Sequence, residues 1–214
     1  MPKLRFRISM SVDGFVAGPD QSVENPLGIG GESLHEWVFP LRYWREMQGM
    51  PGGEVNASDQ FLRDSHANIG ATIMGRNMFG GHPGPWKATN PWTGWWGKNP
   101  PYHRPVFVIT HHPRDPLRLE GGNTFNFVTD GIESALEQAR RVAGDKDVEF
   151  VGGATVANEY LEAGLIDAMD LSVAPILLGG GARMFDGVGD ALGQFALERT
   201  IAEPKVTHYR FVRR

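Results

Sequence analysis

The chain has 214 residues, the size of one ordinary domain that buries a core without covalent staples. Its 21 Lys plus Arg against 25 Asp plus Glu leave a net charge of −4, with neither sign concentrated in one half. That balance argues against a nucleic-acid or anionic-membrane surface. The absence of cysteine excludes disulfides, thiolate nucleophiles and zinc sites built on Cys spacing.

No run of about 18 apolar residues marks a membrane span, and residues 3–12 alternate in polarity where a signal peptide would be continuously apolar. The expectation is one cytoplasmic domain over 1–214. The alternation of Leu4, Phe6, Ile8, Met10 and Val12 with Lys3, Arg5, Arg7, Ser9 and Ser11 predicts a first strand, ended by Asp13-Gly14. A glycine-studded segment reaches to about Glu32. A helix is predicted over 40–48 with Pro40 at its first position, and a second over 58–67. Residues 69–74 read as a buried strand running into GRNMF.

Residues 80–103 have no period and are crowded with Pro, Gly and Trp, so they form a long loop. Strands are predicted at 105–110 and 124–128. Asp130 and Glu133 have capping-box spacing, and Ile132, Ala135, Leu136, Ala139 and Val142 share one helical face until Gly144 stops it. A strand over 148–151, a helix over 153–163 and a long strand over 168–178 follow. Two strands, 195–202 and 205–212, are joined at Glu203-Pro204. Strands alternate with helices through the middle, which implies an α/β fold with a mostly parallel sheet covered on both faces and an antiparallel C-terminal hairpin.

In such sheets, ligands collect where strands end and helices begin. Gly152 and Gly153 stand at such a junction and would let an anion approach the backbone. The same residues also make an ordinary tight turn. Gly75-Arg76-Asn77 places a cation at a second junction, and Thr110, His111 and His112 follow a third strand. Adjacent histidines point apart and no ligand spacing completes a metal site, so none is expected.

Four stretches in this order resemble one family: SMSVDGFVAG, IMGRNMF, PVFVITHHPR and FVGGATVANEYLEAGLIDAMDLSVAPILLGGG. They are similar to landmarks of the dihydrofolate reductase-like superfamily, within the branch that holds the reductase domain of riboflavin biosynthesis enzymes, the RibD C-terminal domain. The likeness runs from about residue 4 to 212. It implies a three-layer α/β fold, NADPH as cofactor and, as a family habit, a homodimer. By the resemblance Gly75, Arg76 and Asn77 meet the cofactor phosphates, and Thr110 and His111 lie near the adenosine 2′-phosphate. Val151, Gly152, Gly153, Ala154, Thr155 and Val156 form the pyrophosphate loop and helix start, with Ala17 and Gly18 beside the nicotinamide. Two positions depart from the pattern: Met78 stands where dihydrofolate reductases carry threonine, and Val151 where riboflavin enzymes carry an acidic residue. The cysteine-free chain also lacks the zinc deaminase domain of the bifunctional enzymes.

Hydride transfer to C=N or C=O needs a proton donor beside the developing charge. Asp13, Glu32, His35 and Glu36 are the ionisable candidates near the N-terminal loop, with Asp13 and Glu36 placed first; an ordinary turn is the alternative role for Asp13-Gly14. Trp86, Trp92, Trp95 and Trp96 crowd the long loop, where Trp95 and Trp96 could stack on a flat acceptor or pack on the body. Trp37 and Trp44 are assigned to the core. The leading expectation is an NADPH-dependent reductase of a small, flat acceptor. Alternatives are a reductase using another carrier, such as a deazaflavin, and a nucleotide-binding module without catalysis.

Overall fold

The computed structural model describes residues 2–214. Strand β1 (Leu4–Ser11) is followed by the short β2 (Phe15–Ala17), helices α1 (Arg42–Met47) and α2 (Ala57–His66), and β3 (Ile69–Gly75), which runs into the single turn α3 (Arg76–Phe79). A long loop leads to β4 (Pro105–Ile109), β5 (Leu117–Arg118), β6 (Thr124–Val128), α4 (Ile132–Ala143), β7 (Asp147–Val151) and α5 (Ala154–Glu162). Then come β8 (Ala168–Ala174), β9 (Ala182–Arg183), β10 (Phe195–Glu203) and β11 (Val206–Arg213).

Nine strands form one sheet in the order β10-β11-β8-β1-β7-β3-β4-β6-β5, while β2 and β9 pair apart from it. Pairings from β8 to β6 are parallel. β11 runs antiparallel to β8 and β10, and β5 antiparallel to β6. The mostly parallel sheet with an antiparallel C-terminal pair is the architecture that the alternation of strands and helices implied. Among the described residues no helix is long and apolar enough to cross a membrane.

Side chains of a strand alternate between the two faces, and here the faces differ in kind. One face carries Leu4, Phe6, Ile73, Val148 and Phe150 against Leu136 and Ala139 of α4 and Tyr160 and Leu161 of α5, all buried in a single apolar cluster. Each large side chain buried there contributes about 1.5–3 kcal/mol. The other face carries Arg5, Arg7 and Ser9 from β1, Glu149 from β7, Thr72 from β3, and Asp170 and Ser172 from β8, paired in register across the central strands. The segment leading into α1, with Trp37 and Leu41, and α2, with Leu62, cover the β8–β11 side of that face. Trp86, Trp92 and Trp96 of the long loop cover its β3–β6 side by packing with Phe79, Tyr102 and Phe125.

Four expectations shift. The first helix begins at Arg42, because Glu54 hydrogen-bonds the backbone on both sides of Leu41, taking the Pro40 carbonyl and the Arg42 N–H, and holds Leu41 extended. The capping box does not form: Gly131 at φ 94° caps α4, and the Asp130 carboxylate accepts from the Ser134 hydroxyl instead. Val142 is 51% exposed, so the buried stripe of α4 passes through Ala143 in its place. β8 stops at Ala174, four residues short of the predicted end. Beyond Pro175 the chain turns toward β1, where the Ile176 carbonyl accepts from the Val12 N–H and Asp13 takes the N–H groups of Leu178 and Gly179.

Candidate active site

The two covers of the polar face do not meet, and a cavity of about 460 Å³ lies between them over β1 and β7. That is the size of a small-molecule site. It is lined by Gly152, Gly153, Ala154 and Thr155 where β7 passes into α5, by Ala17, Asn77 and Met78 nearby, and by Arg7, Glu149 and Arg104 on its floor. Trp95 and Trp96 line the loop side, and Trp37 and Trp44 the helical side.

The two glycines have different reasons to be there. Gly152 has φ 132°, a conformation that side chains rarely adopt, and an added Cβ would press on Met78 at 3.2 Å. Gly153 has φ −75° and ψ 167°, extended values open to any residue, and a Cβ built on it meets nothing within 4 Å. Neither backbone strain nor packing inside the protein demands glycine at 153. The residue faces the cavity and caps α5 without a side chain, leaving the first N–H groups of the helix free of any protein acceptor.

Of the residues singled out in the sequence, Ala17, Asn77, Val151, Gly152, Gly153, Ala154, Thr155, Trp95 and Trp96 converge on this cavity. Asp13, Gly18, Glu36, Gly75, Arg76, Thr110, His111 and Val156 are not in its lining. The Asp13 carboxylate is held down to about pKa 2 by the Ser11 hydroxyl and by the Gly179 and Leu178 N–H groups, so it clasps the loop after β8. Glu32 and Glu36 are exposed, whereas His35 lines the cavity with its Nδ1 buried and unpartnered. Burial lowers its pKa, opposed by the Gly31 backbone. Gly18 lies against the Ile29 backbone, and Gly75 packs on Val156. Thr110 is buried and its hydroxyl accepts from the His112 N–H at 3.2 Å, while His111 is exposed.

Arg76 donates to the carbonyls of Gly80 and His82, and its guanidinium lies 3.5 Å from the Trp86 ring centre. Burial and the neighbouring Arg114 lower its pKa to about 10. The four loop tryptophans therefore divide. Trp86 and Trp92 pin the loop to the body, donating to the carbonyls of His112 and Phe79, and Trp95 and Trp96 form wall. Trp37 is buried as expected and also lines the cavity, its indole N–H donating to Ser9 at 3.3 Å.

The charged floor is the part that sequence reasoning missed. Glu149 is 2% exposed; one carboxylate oxygen accepts from Thr72 at 2.8 Å and the other from Arg7 at 3.1 Å, with Arg104 at 3.7 Å. Burial alone would raise its pKa, but Arg7, His66 and Arg104 overcome that and bring it to about 2. His66 donates its Nδ1–H to the Leu62 carbonyl at 2.8 Å, and burial with the nearby Arg7 lowers its pKa to about 4. A signal was available: Arg5, Arg7 and Ser9 alternate along a strand placed in a sheet covered on both faces. Such a strand should read apolar throughout, unless one face opens into a polar site.

A family model described as the RibD C-terminal domain matches residues 2–205. The chain belongs to that family. RibD C-terminal domains are the reductase-type domain of riboflavin biosynthesis, so the cavity is that of an oxidoreductase fold. A comparison with curated sequences finds no match. Among solved structures, a Shewanella sp. PV-4 protein named for riboflavin biosynthesis is similar over 99% of both chains, at 18% identity and TM-score 0.57. RibD of Acinetobacter baumannii is similar over all of this chain and 58% of its own, at 21% identity and TM-score 0.58. A Thermotoga maritima deaminase/reductase matches over all of this chain and 57% of its own, at 11% identity and TM-score 0.56. The chain thus spans a little over half the length of these two larger relatives, and at such identities the likeness is one of fold.

Proposed function

We propose that this RibD C-terminal domain is an NADPH-dependent reductase that delivers hydride to a small, flat acceptor bound in the cavity. The observation that carries the reading is Gly153: its extended backbone is open to any residue and a Cβ there meets no protein atom within 4 Å, yet it stands at the start of α5 where the first N–H groups face the cavity. Gly152 to Val156 would hold the pyrophosphate through backbone N–H groups and the helix dipole. When bound, the reduced nicotinamide supplies the hydride. Ala17 bounds the space beside it, and Trp95 and Trp96 shield the acceptor from water. Arg76 would have to yield its carbonyl partners to reach a phosphate. Homodimerisation belongs to the same proposal, as a habit of the family.

Titration with NADPH and, separately, NADH, followed by quenching of tryptophan fluorescence, tests the reading, because four indoles line the cavity. NADPH should bind ahead of NADH. Gly153→Val should weaken NADPH at least ~100-fold, about 2.7 kcal/mol, with a thermal midpoint within a few degrees of the parent. Failure of both nucleotides to bind, or unchanged affinity in the variant, would remove the cradle and leave the glycines as a turn.

A further inference from the structure

We propose that the cavity floor recognises a carboxylate carried by the acceptor, held between Arg7 and Arg104. This rests on the reductase reading and goes beyond it by naming the charge that the acceptor brings. The floor lies three residues back along β7 from Gly152, a separation of ~10 Å at strand rise, so a group bound there does not compete with one at the helix start.

The floor has more donors than the protein satisfies. Arg7 gives one terminal nitrogen to Glu149, and its Nε is buried without a partner. Arg104 gives its Nε to the Tyr102 carbonyl at 2.7 Å, and its Nη1 is buried without a hydrogen-bond partner, 3.7 Å from Glu149. Glu149 cannot turn to serve both, since Thr72 fixes its other oxygen from β3. Two guanidinium groups therefore share one carboxylate. Buried donors of charged groups are rarely left unmatched, and planar guanidinium pairs suit the planar, two-oxygen carboxylate.

The neighbours do not supply the missing negative charge. Asp170 is held by Arg210 in a two-pronged pair at 2.6 and 2.7 Å, with Arg5 at 3.8 Å. Burial keeps His66 neutral at pH 7 and Tyr43 protonated. The Arg7–Glu149–Arg104 group thus carries one net positive charge inside a chain of net charge −4. A monoanion neutralises it, whereas a phosphate dianion would leave a buried excess of negative charge. Tyr102 and Trp96, packed edge to face at 5.1 Å, present apolar surface beside the floor for a ring attached to that carboxylate.

The test is calorimetric titration of the cofactor-free protein with 2-naphthoate, 2-naphthamide and 2-naphthyl phosphate, so that its outcome is independent of NADPH binding. Naphthoate should bind at least about tenfold tighter than the isosteric amide, and tighter than the phosphate. The preference should shrink to about twofold or less in Arg104→Gln and recover in part in Arg104→Lys, which restores charge without the fork. Glu149→Gln, which removes the competing carboxylate and keeps the Thr72 hydrogen bond, should strengthen naphthoate binding. Equal affinity for acid and amide, absence of naphthoate binding, or a preference that survives Arg104→Gln in a folded variant would overturn the proposal. Tighter binding of the phosphate would overturn the monoanion assignment. If NADPH binds and naphthoate shows no preference, the inference fails and the reductase reading stands.

Discussion

The two faces of the central sheet are built from the same strands and obey opposite rules. Phe150 and Glu149 are neighbours on β7, both essentially inaccessible; Phe150 packs on Phe6 and Tyr160 with ring centres 5.6 and 5.5 Å away, and Glu149 sits among arginines. One face maximises apolar burial under α4 and α5. The other excludes bulk water almost as well but keeps charges, donors and an open volume. Burial alone therefore does not separate core from site, and what separates them is whether the buried groups can be satisfied by the protein itself.

The comparison can be broken most directly at Phe150. Phe150→Ala should lower stability by about 3–5 kcal/mol in chemical denaturation and leave nucleotide affinity of the folded protein unchanged. A loss of affinity without a loss of stability would erase the distinction between the faces. The pH dependence of stability sharpens it. His66 and His208 lie on the polar side, both with folded pKa lowered from 6.5 to about 4 by burial, which outweighs every opposing influence. His208 is fully buried between the hydroxyls of Ser58 and Ser172 at 2.8 and 2.9 Å. The unfolded chain takes up these protons first, so their stabilising contribution is complete above pH 6.5 and declines as the pH falls toward 4. Thermal midpoints followed across that window should drop, and the drop should be smaller in His208→Gln. The smallest effect is expected on the outer side of α4, where Val142→Ser should change stability by no more than about 0.5 kcal/mol, a helix-surface result that a buried Val142 would contradict.

The strand and helix order was legible because period-two and period-3.6 patterns are local, and Gly, Pro and capping residues punctuate them. The misplacements came where distant groups intervened: the Glu54 backbone holding Leu41 extended, and the Asp13 carboxylate drawing residues 178–179 away from β8. The glycine loop was legible as a junction, since Gly152 and Gly153 sit between a strand and a helix in any reading. The floor was not, because Arg7, Thr72 and Glu149 belong to three strands and Arg104 to the loop end before β4, and they become neighbours only through the fold of the sheet. Val151 stands where the resemblance places an acidic residue. Glu149 lies two positions earlier, hence on the same face of β7, where a strand's period brings a carboxylate to the cavity without the motif.

Arg76 is spoken for twice over, by two loop carbonyls and by the face of Trp86. An anion that recruits this guanidinium must first take it from the loop, so the order of residues 80–96 and the occupancy of the proposed phosphate site would be two readings of one equilibrium. Linkage then runs both ways: whatever tightens the tryptophan loop weakens the recruited anion by the same factor. Amide hydrogen exchange across residues 80–96, rising as phosphate-bearing ligand is added, would make that loop a built-in gauge of anion binding.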